Sequence, residues 1–428
     1  MALGGGTFSS QNKVLPGAYF QFISTKGARN VAGERGVAAI ALELDWGEDN
    51  VIFDLTAADI QKNSMAMLGY SYDSEKLKGI RDILKHAKLV HVYKLTSGGE
   101  KASNTYATAK YTGVAGNSIK TVIASNVDNT SAYDVSTYMG TTLVDRQTVT
   151  SPAELKDNDY VSFKKDASLT KEAGVSMTGG TNAAADTSAH QAFLDKIESY
   201  PDVNTIGYAG TDESIRALYA AFAKRMRDEV GIRLQAVMHG YAGDSIACVN
   251  VKNSADNVYW VLGVTAGLAG NESATNMVYD GEMPVKTDYT QKQLEAAIKS
   301  GEYVLHKVGS SVRVLEDINS LVTYTDDMGE VFSDNQTVRV IDTLADSIAG
   351  IFCTKYIGRV PNNASGRTSL WSDIVSICQQ MVDMKALESF DSSDITVEQG
   401  TAKKSVVVNS AVVVINTMDK LYMKTVIA

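Results

Sequence analysis

Val203-Asn-Thr-Ile-Gly-Tyr208, Thr211-Asp-Glu-Ser214 and Ile232-Arg-Leu-Gln-Ala-Val-Met238 are the three runs that decide the fold class. The first reads as a short strand. The second opens a helix, with Thr211 as its N-cap and acids in the first turn, where they oppose the helix dipole. That helix runs to about Glu229 and stops at Gly231, and the third run reads as a buried strand. Strand, helix, strand at this spacing is a βαβ unit with a right-handed crossover. Downstream, Ser245 to Val251 reads as a further strand and Tyr259 to Leu268 as a mostly apolar helix. Thr290-Gln-Lys-Gln293 is a capping box opening a helix that ends at Gly301. Tyr303–Val308 and Ser311–Leu315 then form a tight hairpin around Gly309-Ser310.

The same texture returns near the N-terminus. Arg35 to Trp46 is an apolar strand closed by Gly47. Asp73 to Lys88 reads as a helix with Leu77, Ile80, Ile83, Leu84 and Ala87 on one face, and Leu89–Leu95 as a strand. Between Ser97 and Asp186 the chain changes to short Thr-, Val- and Tyr-rich runs (106–111, 119–124, 132–138, 141–150, 160–164) separated by Gly, Asn and Asp turns. That spacing describes a small inserted all-β domain, ended by the low-complexity stretch Thr178–Ser188. Two long helices follow the hairpin. Val338, Ile341, Leu344/Ala345, Ile348 and Phe352 mark one, and Leu370, Ile374, Ile377, Met381 and Met384 the other, with the loop Arg359–Arg367 between. The expected division is an arm (1–18), an α/β (α+β) core domain in two parts (19–96 and 189–400), the β-rich insertion (97–188) and a C-terminal β-arm (401–428).

Both ends are unusual. Lys404-Ser-Val-Val-Val-Asn-Ser-Ala-Val-Val-Val-Ile415 is a β-branched run of low charge without proline, followed by the turn-like Asn416–Asp419 and by Lys420–Ile427. A free edge of this composition templates further pairing. It is either closed as a hairpin within the chain or lent to another subunit. Residues 1–15 carry too little apolar surface to pack alone and, extended, reach roughly 50 Å. Pro16–Ile23 then has the look of an ordered strand.

Bulk properties narrow the function. A chain of 428 residues with 44% hydrophobic content builds two or three domains. A formal charge of −10 argues against a phosphate-binding surface, so nucleic acid is not an expected partner. Cys248, Cys353 and Cys378 are scattered and read as reduced core residues. The opening Met-Ala-Leu-Gly-Gly-Gly-Thr lacks the basic and apolar regions of a signal peptide, and no apolar run has membrane-spanning length. No phosphate-loop, HExxH, GxSxG, EF-hand or CxxC pattern occurs, and no cofactor or metal is expected. Gly113–Asn117 reads as a turn rather than a phosphate cradle. His86 and His91 read as boundary histidines rather than a metal pair, and Asp326-Asp327, Asp54 and Asp59 as turn and cap acids. His239, after a strand and near Asp244 and Ser245, is the one place where a hydrolase-like site is conceivable.

Several segments together resemble the tail sheath proteins of contractile bacteriophages and of phage-tail-like bacteriocin particles. Pro16–Phe22 is similar to the family's N-terminal motif and Arg35–Ile40 to its first core strand. Ala107-Thr-Ala-Lys-Tyr-Thr-Gly-Val-Ala-Gly-Asn-Ser-Ile119 resembles its A-K-x-x-G-x-x-G-N-x-I element, and Val312–Asn319 its V-R-V-L-x-D-I-N stretch. Asn362–Arg367 is similar to an N-x-x-G-R loop between two helices and Met418–Met423 to a closing M-E-K-L-Y-M strand. The matches run in family order from residue 16 to the end. Ser320 stands where many members carry Thr, and nothing is attached to that departure.

The resemblance implies a structural subunit, not an enzyme. It would polymerise into stacked helical rings around a tail tube, contract to drive the tube through a target cell envelope, and meet baseplate and terminator proteins. Its place is a virion tail or tail-like particle assembled in the host bacterial cytoplasm, without insertion into membranes. By position, the inter-subunit strand exchange falls to extended N- and C-terminal β-arms: Val14, Tyr19, Phe20 and Phe22 at one end, and Val406, Val407, Val408, Val412, Val413, Val414, Leu421, Tyr422, Met423 and Val426 at the other. One of the two C-terminal runs belongs to the home sheet and one is lent. Val312–Asn319 reads as buried core. The competing classes are an α/β enzyme with a site near His239 and a different self-assembling surface or tube protein.

Overall fold

The computed structural model describes residues 35–427. The expected arm residues Val14, Tyr19, Phe20 and Phe22 therefore lie outside the described residues. In chain order, β1 (Val37–Leu42), β2 (Ile52–Leu55), α1 (Ala57–Leu68), α2 (Lys78–Leu84) and β3 (Leu89–Lys94) come first. Then follow β4 (Ala107–Ala109), β5 (Ile119–Ser125), β6 (Tyr133–Met139), β7 (Thr142–Val149), β8 (Val161–Phe163) and β9 (Glu172–Ser176). The next group is α3 (Thr187–Ile197), β10 (Thr205–Tyr208), α4 (Glu213–Arg225), β11 (Gln235–His239), β12 (Cys248–Val251), α5 (Val258–Gly267) and α6 (Gln291–Lys299). Last come β13 (Glu302–Tyr303), β14 (Leu305–Val308), β15 (Ser311–Val314), α7 (Asn335–Ile351), α8 (Ala364–Asp383), β16 (Ile395–Gln399) and β17 (Val406–Ser410).

A seven-stranded sheet, ordered β13-β12-β11-β10-β1-β3-β2, is parallel except for β2, which runs antiparallel to β3. The segments before and after the insertion meet in it, with Ala38 opposite Thr205 and Ile40 opposite Gly207. Parallel sheets need cover on both faces, and side chains alternate between them. Ala38 and Ile40 of β1 accordingly face α2 and α5, while Val37, Ala39 and Ala41 face α3 and α4.

Within the βαβ unit the cap shifts by one residue. Asp212, not Thr211, accepts the N–H groups of Ser214 and Ile215. A carboxylate outcompetes a hydroxyl beside the helix dipole. The helix continues through one wide turn, Met226–Val230, and ends at Gly231 with φ 87°, the left-handed stop that glycine permits. The expected helix over Asp73–Lys88 is shorter, a 3₁₀ turn at Glu75–Leu77 followed by α2. The capping box at Thr290/Gln293 is formed. Tyr303, expected in the hairpin, instead belongs to the edge strand β13, while β14 and β15 make the hairpin alone.

The inserted strands form a four-stranded antiparallel sheet, β7-β6-β5-β9, and a β4–β8 pair around a core that includes Ile119, Ile123, Val135, Val161 and Phe163. Two core-domain residues fasten it. Trp46 is buried among the insertion's apolar residues and donates from Nε1 to the Ala66 carbonyl at 2.9 Å. Lys94 is fully buried, with its Nζ 2.8 Å from the Thr112 carbonyl and 3.0 Å from Asp49. Burying an ammonium is tolerated because each proton finds an oxygen.

α5 crosses α2 at unusually close range. A Cβ on Gly263 would lie 2.9 Å from Ile83 Cα, and one on Gly267 would lie 2.8 Å from the His86 carbonyl carbon. Both obstacles are backbone and cannot rotate away. Gly263→Ala should therefore destabilise the fold by about 1–3 kcal/mol, as overpacking does. A urea unfolding curve would show this as a lowered midpoint at unchanged slope.

Candidate assembly site at the C-terminal arm

The residues around His239 do not converge. His239 Nδ1 faces the Val251 carbonyl at 2.9 Å, Asp244 accepts the N–H groups of Val322 and Thr323 at 2.8 and 2.9 Å, and Ser245 Oγ accepts from Ala247 N–H at 3.1 Å. Three residues close in sequence thus serve four separate backbone groups. Strand order reverses between β1 and β10, where α/β proteins bind ligands. There Tyr208 lies over Gly210, where an added Cβ would meet its ring at 2.6 Å, and its hydroxyl accepts the Asp212 N–H at 3.3 Å. At this switch point the Tyr208 ring folds back over its own loop.

The first turns of α7 are the distinctive polar feature. Asn335, Gln336, Thr337, Val338, Arg339 and Val340 are all buried, although the helical period predicts a one-sided stripe. Arg339 Nη2 donates to Asp317 at 2.5 Å and to the Glu272 carbonyl at 2.7 Å. Asp317 also accepts from Asn335 Nδ2 at 3.0 Å and from the Ala274 N–H at 2.9 Å. One turn along, Arg227 makes a bidentate pair with Asp342 at 2.8 and 2.6 Å, and Arg233 reaches Asp346 at 2.7 Å. Burial, with Arg339 next in size, lowers Arg35 to about 10, and Asp342 and Asp346 limit the fall. Asp334 caps α7 by accepting from Thr337 N–H at 2.8 Å. Its burial pushes the carboxyl up to about 6 against the lowering effect of that N–H. Val312–Asn319, which supplies Asp317 and reads as buried core, is buried only at Val314 and at Asp317, Ile318 and Asn319, while Val312, Arg313, Leu315 and Glu316 are half-buried.

From this seat the chain runs through α8 to the terminus. β17 pairs antiparallel with β16, placing Val406 opposite Gln399 and Val408 opposite Val397. Beyond it, Val414 bridges Leu387, the Val413 carbonyl accepts from Glu388 N–H at 2.9 Å, and Ile415 N–H donates to Ala386 at 3.0 Å. Val406, Val412 and Val414 pack on the home cluster with Leu370, Ile374 and Ile377, while Val407, Val408 and Val413 are exposed. Leu421, Tyr422, Met423 and Val426 are 81–90% exposed. Residues 418–427 make no backbone hydrogen bond to any described residue. The two C-terminal runs therefore do not close on each other as a hairpin. The first has Ile395–Gln399 as its partner, and Asn416-Thr417 lies against α7 instead of reversing.

Four phage tail sheath models cover this chain consecutively: the Gp18 domain III N-terminal region (35–95), the beta-sandwich domain (97–182), the central domain (183–320) and the C-terminal domain (327–428). The chain is 30% identical to the phage-like element PBSX protein XkdK of Bacillus subtilis, over 98% of this chain and 99% of the relative. The chain belongs to the phage tail sheath family. A sheath tail protein from Desulfitobacterium hafniense superposes with a TM-score of 0.84 at 33% identity, covering 95% of this chain and 99% of the other. The anti-feeding prophage helical sheath in its contracted state shares the fold at 12% identity, with a TM-score of 0.58 and coverage of 97% and 99%. The mixed α/β architecture and the role of structural sheath subunit follow, as does a place in a phage tail or tail-like particle. The family is a structural one.

Two predictions come from the α7 seat. Asp317→Ala strands Arg339 without a counter-charge and should cost about 3–5 kcal/mol, whereas Asp317→Leu with Arg339→Met should cost much less; denaturant midpoints of the variants separate these cases. A carboxyl whose folded pKa is raised contributes stability at low pH that is lost as pH rises through the folded value, here about 6. Asp334→Asn keeps the cap and removes the buried charge. Thermal unfolding should show it more stable than the parent above about pH 6, with the gain vanishing below about pH 4.

Proposed function

We propose that this sheath subunit polymerises into a helical contractile sheath around a tail tube and drives that tube through a target cell envelope. Copies of the chain are its main partner, with baseplate and tail terminator proteins at the two ends of the polymer. The carrying observation is the division of the C-terminal segment. Val406–Ser410 is committed to its own β16, while 418–427 makes no backbone hydrogen bond to any described residue and leaves Leu421, Tyr422, Met423, Val426 and Ile427 exposed. In this reading 421–427 is the lent strand and adds to the edge of a neighbour's β16–β17 pair by β-augmentation, with backbone bonds giving affinity and alternate side chains register. Val14, Tyr19, Phe20 and Phe22 would supply the complementary N-terminal connection. Residues 19–96 and 189–400 would act as the moving body, 97–188 as its inserted domain, and 1–18 and 401–428 as the links that survive the change of packing. Contraction would be a cooperative shift between two packings of a metastable assembly, with no nucleotide or other cofactor at the moment of firing. Assembly would take place in the cytoplasm of the host bacterium.

Negative-stain microscopy of the purified full chain beside a variant lacking Met418–Ala428 tests this. Hollow cylinders from the first and none from the second, at equal thermal stability, are expected. Cylinders of equal length from both would refute strand lending by this segment.

A further inference from the structure

Gln336 is buried to 1% exposure, and two of the three hydrogen bonds of its amide go to the place where the arm leaves the body. Its Nε2 donates to the Asn271 carbonyl at 3.0 Å and to the Ile415 carbonyl at 3.2 Å, and its Oε1 accepts from Thr417 N–H at 3.0 Å. Ile415 and Thr417 flank Asn416. Accepting the N–H of one flanking residue while donating to the carbonyl of the other is what a backbone amide does in a parallel β-bridge. The glutamine side chain thus takes the place of a neighbouring strand. Asn416 itself is held from the same helix, its Nδ2 donating to Thr337 Oγ1 at 3.0 Å.

We propose that Gln336 is the positioning residue for the arm. It terminates the home strand at Thr417 and fixes the direction and length of what is lent. This inference rests on the strand-lending reading above. A primary amide is the side chain that both donates and accepts at one end. Glutamate lacks the donor, methionine lacks both functions, and asparagine falls one methylene short of the chain it must reach. The clamp is rigid because its helix is rigid. Gln336 lies one turn before Arg339, whose pairing with Asp317 seats α7 in the body. Beyond the clamp ten residues remain to Ile427, and at the rise of an extended strand they reach about 33 Å. The acceptor edge on a neighbouring copy must lie within that radius of Thr417. Tension on the lent strand would enter the body at Gln336 and Thr337 rather than peel β17 from β16, since the clamp lies between them.

Residue-resolved amide hydrogen exchange on the isolated full chain tests the clamp. In the parent, the amide of Thr417 should be protected while those of 418–427 exchange at open-chain rates. In Gln336→Met, of matched length, Thr417 should exchange about tenfold faster, with the amides of β10, β11 and β12 unchanged. An unprotected Thr417 in the parent would overturn the inference. So would equal protection in Gln336→Met, or a uniform rise in exchange through the sheet. These readouts come from the unassembled chain, so they stand apart from the truncation lacking Met418–Ala428. If that truncation assembles normally, strand lending fails while the clamp is still judged by exchange.

Discussion

The pairing of Arg339 with Asp317 is the constraint from which the C-terminal third of the molecule takes its position. Both side chains are withdrawn from water, at 1% exposure each, so neither can be left alone without a large penalty. Asp317 is held in turn by Asn335 and by the Ala274 backbone, which ties the region after β15 to the first turn of α7. A buried ion pair adds little net stability compared with an apolar contact of equal shape. What it does is punish every other placement of the helix. α8, the β16–β17 hairpin and the exit of the arm all follow from where α7 sits.

Charge is used throughout this acidic chain to join distant segments rather than to build chemistry. Arg81 binds Glu282, Arg227 binds Asp342, and Lys94 binds Asp49 at the root of the insertion. His86 and His91 are each engaged by a carboxylate, Asp280 at 3.0 Å and Asp54 at 2.7 Å. His239 points at a carbonyl, and Tyr208 at the switch point is engaged by the Asp212 backbone. The ionisable groups thus hold a rigid body together. That is what a subunit needs if its work is to rotate and slide as a unit while strands at its edges keep it connected.

Much of this was legible in the sequence wherever the signal is local. The strand–helix–strand run around 203–238, the stop at Gly231, the Thr290 capping box and five of the six inserted strands all announce themselves by period or by turn chemistry. β9 was missed because Glu172–Ser176 is a half-exposed edge strand with a central glycine and no alternation. β2 and α1 were also missed, although Thr56 and Asp59 form a capping box readable in retrospect. Which of the two C-terminal runs is the home strand was beyond reach. It depends on Ile395–Gln399 as partner and on Gln336 as clamp, contacts that no periodicity encodes. Gln336 and Arg339 were invisible for a related reason. A helix whose first turns alone are buried on every side resembles, in sequence, an ordinary amphipathic one.

The most direct test is a cryo-electron microscopy reconstruction of the assembled sheath at side-chain resolution. The account predicts that residues 421–427 of each copy lie hydrogen-bonded against the β16–β17 pair of a neighbour, while Val406–Ser410 remains on its own Ile395–Gln399. Finding 421–427 folded onto its own subunit, or Val406–Ser410 exchanged in its place, would contradict it.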